Sequence, residues 1–128
     1  MIKQVLSFDT LRKANVLRNS LWDKDNQIGL LFRAVELGGE GGEVQNVIKK
    51  IERERLGLVG STTNLEHLAQ ELADVVICAD LIAMQEKIDL ASAIAAKFNN
   101  ASFKHHFNVF IGASDIVCRK TTEVWLSI

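Results

Sequence analysis

From about Gln27 to Glu54 the chain runs through helix-favouring residues with no proline, and Glu36-Leu37-Gly38-Gly39-Glu40-Gly41-Gly42-Glu43 lies within that run. A helix through it places Glu36, Glu40 and Glu43 at i, i+4 and i+7, so three carboxylates share one face. The arrangement is costly, because like charges at these spacings repel and each interior glycine loses about 1 kcal/mol relative to alanine. A chain that accepts both penalties is expected to use the acids, and a hard cation is the commonest remedy for clustered oxygens. A solvated acidic face, or a loop where the glycines break the helix, accounts for the same residues, and spacing alone does not separate these readings. A phosphate-cradling glycine loop fits less well, since acids stand among the glycines and no lysine follows in the required position.

The surrounding pattern is helical. Ser7 and Asp9 offer caps for a first helix reaching about Trp22, with Phe8, Leu11, Ala14, Leu17, Leu21 and Trp22 at helical spacing. The second helix carries Ile28, Leu31, Phe32 and Val35 before the acids and Val44, Val47, Ile48 and Ile51 after them. Lys49, Lys50, Arg53 and Arg55 crowd its end, where the helix dipole favours cations. Thr63-Asn64-Leu65-Glu66 has capping-box form and predicts the start of a third helix, continuing to about Lys87. From Val75 to Met84 that helix is apolar nearly all round, which predicts burial on several faces. Asp89 caps a fourth helix to Lys97 or a few residues beyond. After Ser102 the pattern weakens: Phe107 to Ile111 suits a strand or an irregular segment, and Ser114 suits the cap of a short terminal helix ending near Trp125.

A chain of 128 residues makes one domain with a modest core, spanning 1–128, with a helical core over about 8–102 and a C-terminal segment 103–128 of open structure. A formal net charge of -1 offers no excess of positive charge for a nucleic acid polymer or an anionic membrane. The longest apolar run is interrupted by Asp80, and none reaches membrane-spanning length. Cys78 and Cys118 lack CxxC spacing and suit reduced thiols, and the first residues lack a signal-peptide core, so a cytoplasmic location is expected.

A second acidic pair, Glu71 and Asp74, lies at i and i+3 on the third helix, just before its most apolar part. A carboxylate buried there needs a partner, a proton or a metal; an edge position with its head in water is the alternative. A short connection predicts that helices two and three form an antiparallel hairpin. Measured from the hairpin end, Glu43 and Glu40 stand about 16 and 21 Å along one helix, and Glu71 and Asp74 about 10 and 15 Å along the other, at roughly 1.5 Å per residue. The four acids are therefore expected to meet to within about one turn. Two such charges 4 Å apart repel by about 4 kcal/mol at an effective dielectric of 20, so the cluster calls for bound cations. Oxygen-only ligands select Mg²⁺, with Mn²⁺ as a substitute, over zinc.

Glu40-Gly-Gly-Glu43 followed by Glu71-Leu-Ala-Asp74 resembles the ExxE…ExxD signature of the MazG-like, all-α nucleoside triphosphate pyrophosphohydrolases, relatives of dimeric dUTPases and dCTP pyrophosphatases. Lys97-Phe98-Asn99, with Ser102 after it, is similar to the KFNxxS element of such domains, and Asn15, Arg18 and Trp22 match an N-x-x-R-x-x-x-W pattern of small members. The matches span about Phe8 to Ser102. One departure stands out: Gly39 occupies the place of a second glutamate, which is either dispensable here or replaced in charge by Glu36 one turn earlier.

The resemblance implies an all-α, four-helix core assembling as a homo-oligomer, dimer or tetramer. It implies Mg²⁺-dependent hydrolysis of a nucleoside triphosphate to the monophosphate and pyrophosphate, in clearance of non-canonical or excess deoxynucleotides. Glu40, Glu43, Glu71 and Asp74 would hold the metal and act catalytically, with Glu40 taking the proton of the attacking water. Lys97 would pair with phosphate, Asn99 would donate to phosphate or sugar, Arg18 would add a phosphate contact and Trp22 would stack on a base, with Asn15 beside them. An oligomer also follows from the apolar third helix, which one small hairpin cannot cover.

Several residues keep two readings. Trp22 is as well suited to plain core, and Arg18 to a solvated helix face. Asp80 faces either the pocket or an inter-subunit contact, and Lys50 is either an ion-pair partner of the acidic stripe or a phosphate ligand. His67, one turn before Glu71, is either a support for that carboxylate or a surface residue. His105-His106 has no ligands at metal spacing. Two other functions stand against the hydrolase: a non-catalytic helical interaction module, favoured by Gly39, and a di-iron bundle, disfavoured because neither acidic pair carries the Glu-x-x-His histidine.

Overall fold

The computed structural model describes residues 4–119 and 125–127. Four helices come first, α1 Phe8–Trp22, α2 Leu30–Arg55, α3 Leu65–Gln85 and α4 Leu90–Lys104, followed by β1 Val109–Ile111, β2 Ile116–Arg119 and β3 Trp125–Ser127. Two compact units result, Met1–Lys87 and Ile88–Ile128. Among the described residues no helix is long and apolar enough to cross a membrane.

Local chemistry explains the helix ends. The Ser7 hydroxyl accepts from the Thr10 amide, and Asn64 and Asp89 do the same for the His67 and Ser92 amides. The cap of α3 is thus Asn64 rather than Thr63, whose hydroxyl instead meets the His67 ring. Asp23 closes the turn after α1 by accepting from the Gln27 and Ile28 amides, and those two bonds hold its carboxyl below the usual range. The glycines do not break α2, which runs unbroken from Leu30 to Arg55. It ends at Gly57 (φ +72°), with the Leu58 amide bonding the Arg53 carbonyl and the Gly57 amide bonding the Glu54 carbonyl. This is a Schellman turn, and its left-handed residue favours glycine.

In the first unit α2 and α3 form the expected hairpin and α1 packs on α3. Its centre is more polar than apolar. Among its described residues the buried apolar side chains are Val47, Cys78 and Ala83, whereas Asn15, Arg33 and Asp80 are buried polar ones. Asp80 is 1% exposed and is gripped by Arg12, Nη2 to Oδ1 at 3.0 Å and Nε to both carboxylate oxygens at 3.2 Å. Asn15 Nδ2 adds a bond to Asp80 Oδ2 at 3.0 Å. Asp80 therefore faces α1 of its own chain, and this network ties α1 to α3.

In the second unit α4 packs on β1, and the strands form an antiparallel sheet in the order β1-β2-β3, with Phe110 opposite Val117 and Cys118 opposite Leu126. The terminal helix expected from Ser114 to Trp125 is corrected: 116–119 and 125–127 are strands, and the residues between lie outside those described. Ile116-Val117 is β-branched, and pairing with β1 gives its backbone a partner that a short helix would lack. The fold is thus mostly helical with a small sheet, rather than purely helical.

Removing one partner of a buried ion pair strands the other. Asp80→Ala is expected to lower the unfolding free energy by about 3–5 kcal/mol in chemical denaturation. Lys13→Ala, which breaks an exposed pair with Asp9, is expected to cost less than about 1 kcal/mol.

Candidate metal centre

The hairpin brings acids from both helices together. Glu40 of α2 and Glu71 and Asp74 of α3 each offer a carboxylate oxygen, and these oxygens lie within 4.8 Å of one another. Glu43 falls outside this trio; it is exposed on α2, one turn after Glu40. The expected four-acid cluster is therefore corrected to three.

Electrostatics mark the trio as unfavourable without a cation. The Glu40 carboxyl is pushed up from its ordinary range, first by desolvation and then by the charges of Asp74, Glu71, Glu43 and Glu36. Behind it the Cys78 thiol is pushed up to about 11 by burial and by the charges of Glu36 and Glu40, which leaves it protonated and unreactive at neutral pH. Oxygen-only ligands at this separation suit a small hard divalent ion. The glycines leave the α2 backbone bare beside it: a Cβ added at Gly38, Gly39, Gly41 or Gly42 meets nothing within 4 Å.

Glu71 is also held from behind. Its Oε1 lies 3.0 Å from His67 Nε2, and His67 Nδ1 lies 2.9 Å from the Thr63 hydroxyl.

One turn from the trio along α2, Glu36 lines a cavity of about 300 Å³ together with Asn15, Arg18, Asn19, Trp22, Arg33 and Leu81. Trp22 is 60% exposed, so it is not core, and its ring centroid lies 6.1 Å from that of Phe32. Arg33 is 1% exposed; its Nη2 donates to Asn19 Oδ1 at 2.6 Å and its Nη1 lies 3.8 Å from Glu36 Oε1. Arg33 Nε and Glu36 Oε1 have no hydrogen-bond partner. Sequence reasoning passed over Arg33, yet a lone charge within the apolar run Leu30 to Val35 was a usable signal.

Other expected residues sit differently. Glu36 takes Arg33 as its ion partner, whereas Lys50 has no ion pair among the described residues. The Asn15 amide nitrogen is engaged by Asp80, and Asp80 itself is sequestered by Arg12. The Asn99 side chain is used at both ends, Nδ2 donating to the Ile111 carbonyl at 2.9 Å and Oδ1 accepting from the Ile111 amide at 2.7 Å. It extends the edge of β1 rather than offering a donor to a ligand, a correction to its expected role. Lys97 is exposed on α4 in the second unit.

The raised Glu40 carboxyl sets the sign of a stability test. A carboxyl whose folded pKa lies above its unfolded value costs stability as pH rises through that interval, and the cost persists above it. Glu40→Gln is therefore expected to raise the melting temperature of the metal-free protein at pH 7. Adding Mn²⁺ should raise that of the wild type and leave the variant nearly unmoved, as followed by thermal scans.

No family model matches the chain. It is 30% identical over 93 residues to the Gene 37 protein of Mycobacterium phage L5, an alignment covering 73% of this chain and 81% of the phage protein. At that identity and coverage, the chain belongs to the same family as the phage L5 Gene 37 protein.

Proposed function

We propose that the chain is a Mg²⁺-dependent nucleoside triphosphate pyrophosphohydrolase of the MazG-like type, releasing pyrophosphate from deoxynucleotides in housecleaning of the nucleotide pool. The observation that carries this reading is the convergence of Glu40, Glu71 and Asp74 within 4.8 Å. These are three of the four acids in the ExxE…ExxD pattern. Their donor set fits Mg²⁺ or Mn²⁺, being all carboxylate. Bound there, the ion would neutralise triphosphate oxygens and make a water more acidic.

The chain's own groups supply the rest. Glu40, Glu71 and Asp74 hold the charge in place, and Glu43, on the next turn and outside the trio, is the carboxylate left to take the water's proton. The bare glycine backbone of α2 lets phosphates approach closely. The cavity beside Glu36 takes the nucleoside, and at about 300 Å³ it is at the small end of ligand pockets. Exposed Trp22 offers a stacking face, and Arg33 Nε and Glu36 Oε1 offer an unused donor and acceptor to a base edge. Arg18, exposed on α1 and lining that cavity, carries a phosphate contact. With Mg²⁺, pyrophosphate release from at least one dNTP of a panel is expected, abolished by EDTA. Glu71→Gln and Asp74→Asn are expected to reduce it about 100-fold or more. No release from any nucleotide, with Glu71→Gln matching wild type, would establish the non-catalytic module that Gly39 favours.

The same reading includes a homo-oligomer, dimer or tetramer. Its support is the apolar surface left on the first unit: Leu17 and Leu21 on α1, Leu31 and Val35 on α2, and Leu65, Leu72 and Val76 on α3 are all exposed at helical spacing. Leu31 remains 80% and Leu21 72% exposed while three apolar side chains make the described core, a balance that suits a subunit rather than a free monomer. Light scattering is expected to give a multiple of the chain mass, and Leu31→Lys with Val35→Lys to shift it toward the monomer.

A further inference from the structure

The start of α3 carries a line of side chains that the proposed chemistry does not itself require. His67 and Glu71 stand at i and i+4 on one face of the helix, and Thr63, just before the Asn64 cap, reaches the His67 ring. Thr63 Oγ1 and His67 Nδ1 are 2.9 Å apart, and His67 Nε2 and Glu71 Oε1 are 3.0 Å apart. The protons follow from the ends of the line. An ionised carboxylate only accepts, so Nε2 carries a hydrogen and donates it to Glu71. In the neutral ring Nδ1 then accepts, and the Thr63 hydroxyl, able to rotate, donates to it.

What the line holds is a carboxylate under strain from its neighbours. Glu71 is one of the three groups within 4.8 Å, and repulsion from Glu40 and Asp74 tends to swing a flexible side chain outwards. Its side chain is nevertheless 15% exposed, against 43% for His67. A hydrogen bond to Oε1 restrains the torsions of Glu71 and leaves Oε2 for a ligand. The Asn64 cap fixes the base of the line, since its Oδ1 accepts from the His67 amide at 2.8 Å.

We propose that Thr63 and His67 are positioning residues that preset Glu71 as a ligand for a divalent cation, His67 anchoring the carboxylate and Thr63 holding the ring at its Nδ1. The inference rests on the metal reading of the preceding subsection. Such supports behind a metal ligand are worth about 10–100-fold in affinity.

The test uses the full chain with Mn²⁺ alone, titrated by calorimetry and by the loss of free-ion electron paramagnetic resonance signal, without substrate. His67→Ala is expected to weaken Mn²⁺ binding about 10-fold or more, and His67→Gln, whose amide can still donate to Glu71, to recover most of it. Thr63→Val, which removes the hydroxyl at Nδ1 and leaves the bond to Glu71, is expected to weaken binding less than His67→Ala. Circular dichroism checks that each variant keeps its helices, and a variant that does not is replaced by the milder one in the series. Tight Mn²⁺ binding by wild type and His67→Ala alike, with only the melting temperature lowered in the variant, overturns the positioning role and leaves the metal reading standing. No Mn²⁺ binding by the wild type overturns both.

Discussion

Three carboxylate oxygens within 4.8 Å of one another repel, and the seam between α2 and α3 holds them there. The helices bring their like charges to the same height because the connection between them is short and tightly formed. The Schellman turn at Gly57 ends α2, and Asn64 starts α3. A slip of one residue in either helix would rotate its carboxylates by about 100° and separate the group. The turn chemistry is therefore as much a part of the centre as the acids are. The Glu40 carboxyl is raised first by desolvation and then by that repulsion.

Around the seam, polar contacts do work that apolar packing does in most domains. Asp80 meets Arg12 and Asn15, Arg33 meets Asn19, and the apolar residues buried beside them are few. Directional bonds of this kind fix the register of α1 on α3 and of α1 on α2 more narrowly than a smooth apolar contact would. They also line the cavity, whose wall includes Asn15, Asn19 and Arg33. The network that orders the helices thus borders the space where a small polar ligand would sit. The apolar side chains displaced from the centre lie on the outside of the same helices, which accounts for their exposure as stripes rather than as scattered residues.

The membership shared with the phage L5 Gene 37 protein bears on kinship and is silent on chemistry. The chemical reading comes from the acids, the glycine-bare helix between them and the adjoining cavity. These are the separate observations on which the proposed nucleotide reading rests.

The sequence alone determined the four helices, most of their caps and the antiparallel hairpin, because apolar period, capping residues and loop length are local properties. It also determined that Glu40 would meet Glu71 and Asp74, since rise per residue converts spacing into height. Tertiary structure decided the rest. Whether Glu43 joined the trio depended on how the two helices and their side chains face one another, to which height is blind. Asp80 found its partner in Arg12, distant in sequence, and Asn99 was taken by the backbone of β1, so neither was free for a ligand. The strands after α4 were obscured because pairing energy belongs to two segments at once, and a short apolar run read by itself carries no record of its neighbour.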